Sequence, residues 1–482
     1  MKKHNKTTKG LMWKMGENVA TQGMQFVIQM LLARMLLPED FGIIGILNVF
    51  TNLANTLVNN GLSSALLRKK EFDPKAYSTV FVVSLAISMA GYGAIFAASP
   101  LIARFYENLD LIPYLRVYTL TVLVSAVTSN CNTVLRSRMD FRGIFLGNFL
   151  GVLGQGICGI LMARNGFGVW SLVFAHVVRY AIPAVVLLVF SRWRPQLYFS
   201  WTILKELFSY SWKLAVGWLI GTVYNDVFSL IIGKQFSTAT LGYYTKGNSI
   251  PAMVNRVLSQ TVTAVMFPSL AKDQHDLAVI KQRTRSMISI STGMVMPVMA
   301  GIAACAPALI SVLLTDRWLP AVAVVQITCI PKAINVINNA NMQSINAIGR
   351  SDVFLYAEAI KRTVTVLLVL ITSRIDFYLM LWTIAFMGLI SMTVNMIANK
   401  KLLGYSFKEY AEDLLPYVAV SLLLFVGVNL LNGLQCNIYA KLGLQLLGCA
   451  VIYFGAIFFL PLSGYEKARK IGLSILQGGR KT

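Results

Sequence analysis

Apolar runs long enough to cross a bilayer recur from one end of this chain to the other, and that recurrence leaves a soluble core nowhere to form. They fall at roughly 12–35, 41–66, 76–103, 113–135, 143–163, 167–190, 207–233, 241–269, 286–314, 320–347, 353–373, 377–399, 414–432 and 440–462, which makes fourteen candidate helices. A spanning helix needs about 20 residues and a return loop only a few, so the 482 residues hold this set with little left over. The expected fold class is an all-α integral membrane protein. Pro183, Pro251, Pro297 and Pro331 fall inside the runs and mark expected kinks rather than ends.

A net charge of +23 raises the question of nucleic acid, and the placement of the basic residues answers it. Of the 43 Lys and Arg, 27 fall in the two termini and alternate loops, seven fall singly in the intervening loops, and nine fall within spans. Cytoplasmic loops concentrate Lys and Arg, so both termini are expected in the cytoplasm and the span count is even. Lys2, Lys3, Lys6 and Lys9 read as a cytoplasmic head, with no signal-peptide pattern before the first run. The basic excess is therefore a topology signal, and no nucleic-acid partner is expected. The six cysteines are scattered without CxxC or Cys/His spacing and read as small buried apolar residues.

The halves repeat. Residues 31–34, LLAR, recur as IIGK at 231–234; Phe41-Gly42 recurs as Leu241-Gly242; and Asn48 and Asn55 recur as Asn248 and Asn255, all 200 positions later. At an offset of 207, Pro100, Pro113 and Asn132 recur as Pro307, Pro320 and Asn339. Six spans per half put both repeats in the same orientation, an arrangement known among transporters. The expected organisation is a six-helix lobe over 1–195, a pseudo-symmetric six-helix lobe over 196–400, and helices 13 and 14 with a cytoplasmic tail over 401–482.

Local motifs carry a resemblance over about the first 400 residues. LLARMLLPEDFGIIG at 31–45, GLSSALLRKKE at 61–71, LRSRMDF at 135–141, LGYYTKGNSIPAMV at 241–254 with VMFPSLA at 265–271, and LLTDRWLPA at 313–321 occur in order at the expected spans. In these stretches the chain resembles polysaccharide exporters of the O-antigen, colanic-acid and teichuronic-acid type, within the multidrug, oligosaccharidyl-lipid and polysaccharide exporter superfamily. The last eighty residues match only as two apolar helices. The resemblance implies a flippase in a bacterial cytoplasmic membrane. It would carry an undecaprenyl-pyrophosphate-linked oligosaccharide from the inner to the outer leaflet by alternating access, for O-antigen, capsule or exopolysaccharide synthesis. Membrane lipids and other polysaccharide-assembly membrane proteins are the partners it implies.

Polar residues inside spans are costly, a charge at the bilayer centre by about 2.5–3.5 kcal/mol on insertion scales, so they should face protein or water. Lys14, Asn18, Gln22, Gln25 and Gln29 form one stripe on span one, and Asn48, Asn52, Asn55 and Asn59 another on span two. The corresponding spans of the second half carry Lys213 and Asp226, then Asn248, Asn255, Arg256 and Ser259. These four faces are the expected substrate cavity. Related pyrophosphate-lipid flippases carry arginines on the second span where this chain has Asn55 and Thr56, which leaves the cationic contribution to Lys14, Lys213 and Arg256.

Ser125, Ser129 and Asn132 on span four, and Asn335, Asn339, Gln343 and Asn346 on span ten, read as hydrogen-bonding glue between helices. Glu358 with Lys361 and Arg362 is a self-neutralising structural set, Lys246 sits near the outer surface, and Arg179, Lys332 and Arg116 read as anchors near span ends. Asp226 is the candidate coupling-ion residue, for a proton or sodium, with pairing to Lys213 as the structural alternative. The membrane potential is the third candidate driving force. No cofactor or metal is expected.

No phosphate loop, HExxH or nucleophile elbow occurs, so the chain reads as a transporter and not an enzyme; a membrane glycan polymerase or ligase is a poor second class. A cation-coupled multidrug exporter is the better rival. It would want carboxylates in the cavity, where this sequence offers mainly cations and amides, with Asp226 and Glu17 the exceptions.

Overall fold

A computed structural model describes residues 20–59, 62–68, 73–194, 196–272, 276–348 and 351–460. Every regular element among the described residues is helical. The first half holds α1 (20–35), α2 (Pro38–Asn59), α3 (Leu62–Arg68), α4 (Pro74–Phe105), α5 (Leu111–Tyr118), α6 (Leu120–Ser137), α7 (Phe141–Arg164), α8 (Val169–Ser191) and α9 (Trp201–Gln235). Then follow α10 (Thr238–Lys272), α11 (Leu277–Leu313), α12 (Ala321–Ala347), α13 (Ser351–Thr372), α14 (Phe377–Leu403), α15 (Phe407–Leu430) and α16 (Ile438–Phe459). Helix makes up the described body of all fourteen apolar runs. Eleven of the described helical segments are long and apolar enough to cross a membrane. The chain is a multi-pass membrane protein.

Two of the remaining runs carry charge within the helix. Glu358, Lys361 and Arg362 fall within any 18-residue stretch of α13, and α10 carries Lys246 and Arg256. One run is broken where one continuous helix was expected: the fourth divides into α5 and α6 at Thr119. The four internal prolines all lie inside helices. Aspartates that could not sit in hydrocarbon cap helix starts instead. Asp73, Asp140, Asp276 and Asp376 each accept backbone N–H bonds at the first turns of α4, α7, α11 and α14.

The chain forms two compact units, Met1–Gly242 and Tyr243–Thr482. In the first, α9 packs against α2, α3 and α4, and α7 lies along α8. Glycine makes that second contact possible. A Cβ on Gly151 would fall 2.7 Å from the Pro183 ring and 2.9 Å from the Arg179 carbonyl oxygen, and one on Gly143 would fall 2.8 Å from Phe190. Small residues of this kind let membrane helices approach backbone to backbone. Gly156 and Gly159 receive Ile28 and Leu32 of α1 in the same way.

In the second unit α11 is the hub, packing against α12, α15 and α16. An ionic cluster ties α15 to it. Arg285 donates to both carboxylate oxygens of Asp413 at 2.7 and 3.1 Å and to Glu409 at 3.1 Å, and Lys281 pairs with Glu409 at 2.8 Å. The Tyr405 hydroxyl donates to Asp413 at 2.7 Å. Gly404, at φ +64°, closes α14 in the left-handed conformation and offers its carbonyl to Lys281.

Span ten departs from its expected role. Asn335 and Asn346 are exposed, and the face that bonds to neighbours is the next one round. Asn338 accepts from Asn395, Asn341 accepts from Asn399 and Tyr410, and Ser344 meets Thr284. Of the cysteines, Cys131, Cys305 and Cys329 are buried as expected, Cys158 and Cys449 are half-buried, and Cys436 is exposed in the turn before α16.

Candidate functional site

Two hollows in the first unit share a wall made by Asn59 and Tyr180. One, of about 360 Å3, is lined from α2 by Asn52, Asn55 and Thr56 and from α9 by Thr222, Asn225 and Asp226. The other, of about 410 Å3, is lined by Ser125, Ser129, Asn132 and Arg136 of α6, Asn148 of α7 and Arg179 of α8. Most of their lining side chains are amides and hydroxyls, with Asp226 in the first and Arg136 and Arg179 in the second, a surface suited to a ligand with many hydroxyl groups.

The first hollow is held together by its own side chains. Asn52 donates to Asp226 at 3.3 Å, and the Thr56 and Thr222 hydroxyls meet at 3.0 Å. Among the described residues no cation pairs with Asp226, so its alternative role as a partner for Lys213 is not what the structure shows. Lys213 is exposed, with its ammonium 6.0 Å from the Trp212 ring centre.

The second hollow holds the residue the sequence reading placed wrongly. Arg179 is the eleventh residue of the 23 in α8, at the middle of its span and not near an end. Pro183 cannot donate to the Arg179 carbonyl four residues earlier, and Gly151 admits α7 against that freed carbonyl, so the local fold fixes where the Arg179 backbone lies. Among the described residues no carboxylate pairs with Arg179. Asn55 and Asn132 each bury a carboxamide oxygen that has no hydrogen-bond donor among the described residues. Ser125, Ser129 and Asn132 thus line an open hollow in addition to any gluing, although Ser129 does meet Ser63 at 3.3 Å.

Of the residues expected from sequence, the structure brings Asn52, Asn55 and Asp226 together. Lys14 and Asn18 lie outside the described residues. Gln22, Gln25 and Gln29 are half-buried on α1 and line neither hollow. Asn48 turns to packing, accepting from the Tyr118 hydroxyl at 2.7 Å, while Tyr118 stacks on His176. In the second unit Asn248 is half-buried, Asn255 is buried and accepts from Ser259 at 3.2 Å, and Arg256 is exposed. Arg116 keeps its role as an anchor, bonded to Ser99 and lying 4.1 Å over Phe96, whereas Lys332 is the twelfth residue of 27 in α12 and so is mid-span. The signal that finds Arg179 from sequence is depth: a cation about eleven residues from either end of a span cannot reach the interface as easily as one at the last turn.

Residues 31–323 match the model of a family described as polysaccharide biosynthesis protein. The chain belongs to that family. Among curated relatives, the succinoglycan biosynthesis transport protein ExoT of Rhizobium meliloti (strain 1021) is 24% identical over 85% of this chain and 81% of its own. The lipopolysaccharide biosynthesis protein WzxC of Escherichia coli (strain K12) is 21% identical over 86% of each chain. Among solved structures, the lipid II flippase MurJ in an inward closed conformation superposes with a TM-score of 0.77 at 13% identity, covering 93% of this chain and 99% of that one. At that identity the likeness establishes the fold, and the family match carries the resemblance read from the motifs.

Proposed function

We propose that this protein is a flippase for an undecaprenyl-pyrophosphate-linked oligosaccharide in surface polysaccharide synthesis, acting by alternating access. The observation that carries the reading is Arg179: an arginine at the middle of a span, in an amide-lined and hydroxyl-lined hollow, without an acidic partner among the described residues. An unpaired charge at that depth is costly, and an anionic ligand is what removes the cost. Its planar guanidinium can donate two parallel bonds to phosphate oxygens, and Arg136 lies on the same wall. The sugar then occupies the amide and hydroxyl surface while the prenyl chain stays in lipid. Relatives whose names assign them to succinoglycan transport and lipopolysaccharide biosynthesis support this assignment.

Binding must differ between the two sides of the cycle, because a ligand held equally in both shifts no equilibrium. Asp226 is the candidate for a proton or sodium ion that drives the return step, since it lines a hollow of amides and hydroxyls and pairs with no cation among the described residues. The same carboxylate is what the multidrug-exporter reading would use to hold a cationic drug.

The two readings separate in a strain deleted for the gene and complemented at low expression. The flippase reading expects wild type to restore surface glycan and Arg179→Ala to fail at equal protein level, with Arg179→Lys intermediate. Restored resistance to cationic drugs without restored glycan would favour the exporter.

A further inference from the structure

The second unit contains a cation site that is filled by the chain itself. Lys361, the eleventh of 22 residues in α13, is buried, and its ammonium is surrounded by oxygen. Glu358 lies at 2.5 Å, the Asn395 carboxamide oxygen at 2.9 Å and the Ser391 hydroxyl at 3.2 Å. One carboxylate, one carboxamide and one hydroxyl from two helices are hard oxygen donors of the kind that bind alkali cations.

The donors are held by more than the lysine. Asn395 donates its amide N–H to Asn338 on α12 at 3.0 Å, which fixes the carboxamide plane and leaves its oxygen aimed at the ammonium. Glu358 is held at its other oxygen by Arg362 at 3.3 Å. The set Glu358, Lys361 and Arg362 thus pairs within α13 as the sequence suggested, and its three side chains together bear a net positive charge. An alkali ion in place of the ammonium would leave that charge unchanged.

We propose that Lys361 is a tethered occupant of a monovalent-cation site formed by Glu358, Ser391 and Asn395. While it is in place that site takes up no inorganic cation. Coupling to an ion then falls to the mid-span carboxylate of the first unit, Asp226, which has no cationic partner among the described residues. This inference does not depend on what the protein carries.

The test uses the purified full chain in detergent, with Asp226→Asn as the parent so that the first unit cannot contribute. Thermal midpoints are compared in sodium, potassium and choline chloride at equal ionic strength. The parent should unfold at the same temperature in all three. Adding Lys361→Ala should lower the midpoint in choline and make it climb in sodium or potassium, by about 2 °C per tenfold increase once the site fills. Adding Glu358→Gln as well should abolish the climb. Recovery of folded Lys361→Ala only from preparations kept in an alkali salt supports the proposal equally. If the alanine variant is lost in every salt, Lys361→Ser is measured in the same way. Midpoints of the variants that ignore the cation, loss of both variants in all salts, or an alkali-dependent midpoint already present in the parent would overturn the assignment.

Discussion

Gly42 and Gly242 are 200 positions apart in sequence and back to back in space. A Cβ on Gly42 would run into the Thr238 carbonyl oxygen and lie 3.2 Å from the Gly242 nitrogen, and one on Gly242 would run into the Pro38 carbonyl oxygen. The repeat thus brings the starts of α2 and α10 into contact at residues without side chains. Gly42→Ala and Gly242→Ala should each cost about 1–3 kcal/mol through overpacking. Gly93→Ala in α4, whose added Cβ would meet nothing within 4 Å, should be neutral or slightly stabilising. Thermal unfolding in detergent checks the contrast, and equal midpoints for all three variants would contradict it.

The loop charges make a topological prediction. Reporter fusions should place both ends and the turn before Phe407 in the cytoplasm, and the turn at Phe236 on the outside. A periplasmic signal at Phe407 would overturn the orientation and, with it, the direction of transport.

Run length and loop charge made the helices legible in the sequence, because hydrocarbon admits few other structures. The site was only half legible, and the asparagine stripe of α2 shows why. Period identifies a shared face but not its neighbours: Asn48 meets Tyr118, while Asn52 and Asn55 open onto a hollow. Likewise the bonding face of α12 runs through Asn338, Asn341 and Ser344, one position round from the stripe read in sequence. Arg179 was missed by treating a mid-span cation as an anchor. Its surroundings also depend on the approach of Gly151 to Pro183, a tertiary contact that no local pattern encodes.

The cluster that ties α15 to α11 should be sensitive to geometry as well as charge. Arg285→Ala should lower stability by about 1–3 kcal/mol, since bonds to charged groups are lost and Asp413 and Glu409 remain together. Arg285→Lys should recover less than half, because an ammonium cannot form the two-pronged contact with Asp413. Unfolding midpoints of the two variants should differ; identical values would mean that the fork contributes nothing.

Asp226→Asn should remove ion dependence and not substrate recognition. The variant keeps a side chain that can bond to Asn52 but cannot gain or lose a proton. Glycan export should fall about tenfold or more where the wild type responds to pH or sodium, and its residual rate should be flat across both. Wild-type export by Asp226→Asn at every pH and sodium level tested would exclude Asp226 as the coupling residue.

Transport by the purified protein in liposomes tests the central claim most directly. Vesicles carrying an undecaprenyl-pyrophosphate oligosaccharide from the host's own assembly pathway should show protein-dependent movement of the glycan to the opposite leaflet, read by its accessibility to an added glycosidase. Arg179→Ala should reduce that rate at least about tenfold, equivalent to roughly 1.4 kcal/mol or more of lost interaction, while leaving the unfolding midpoint near that of the wild type. Wild-type rates from Arg179→Ala, or no protein-dependent movement by the wild type itself, would contradict the account.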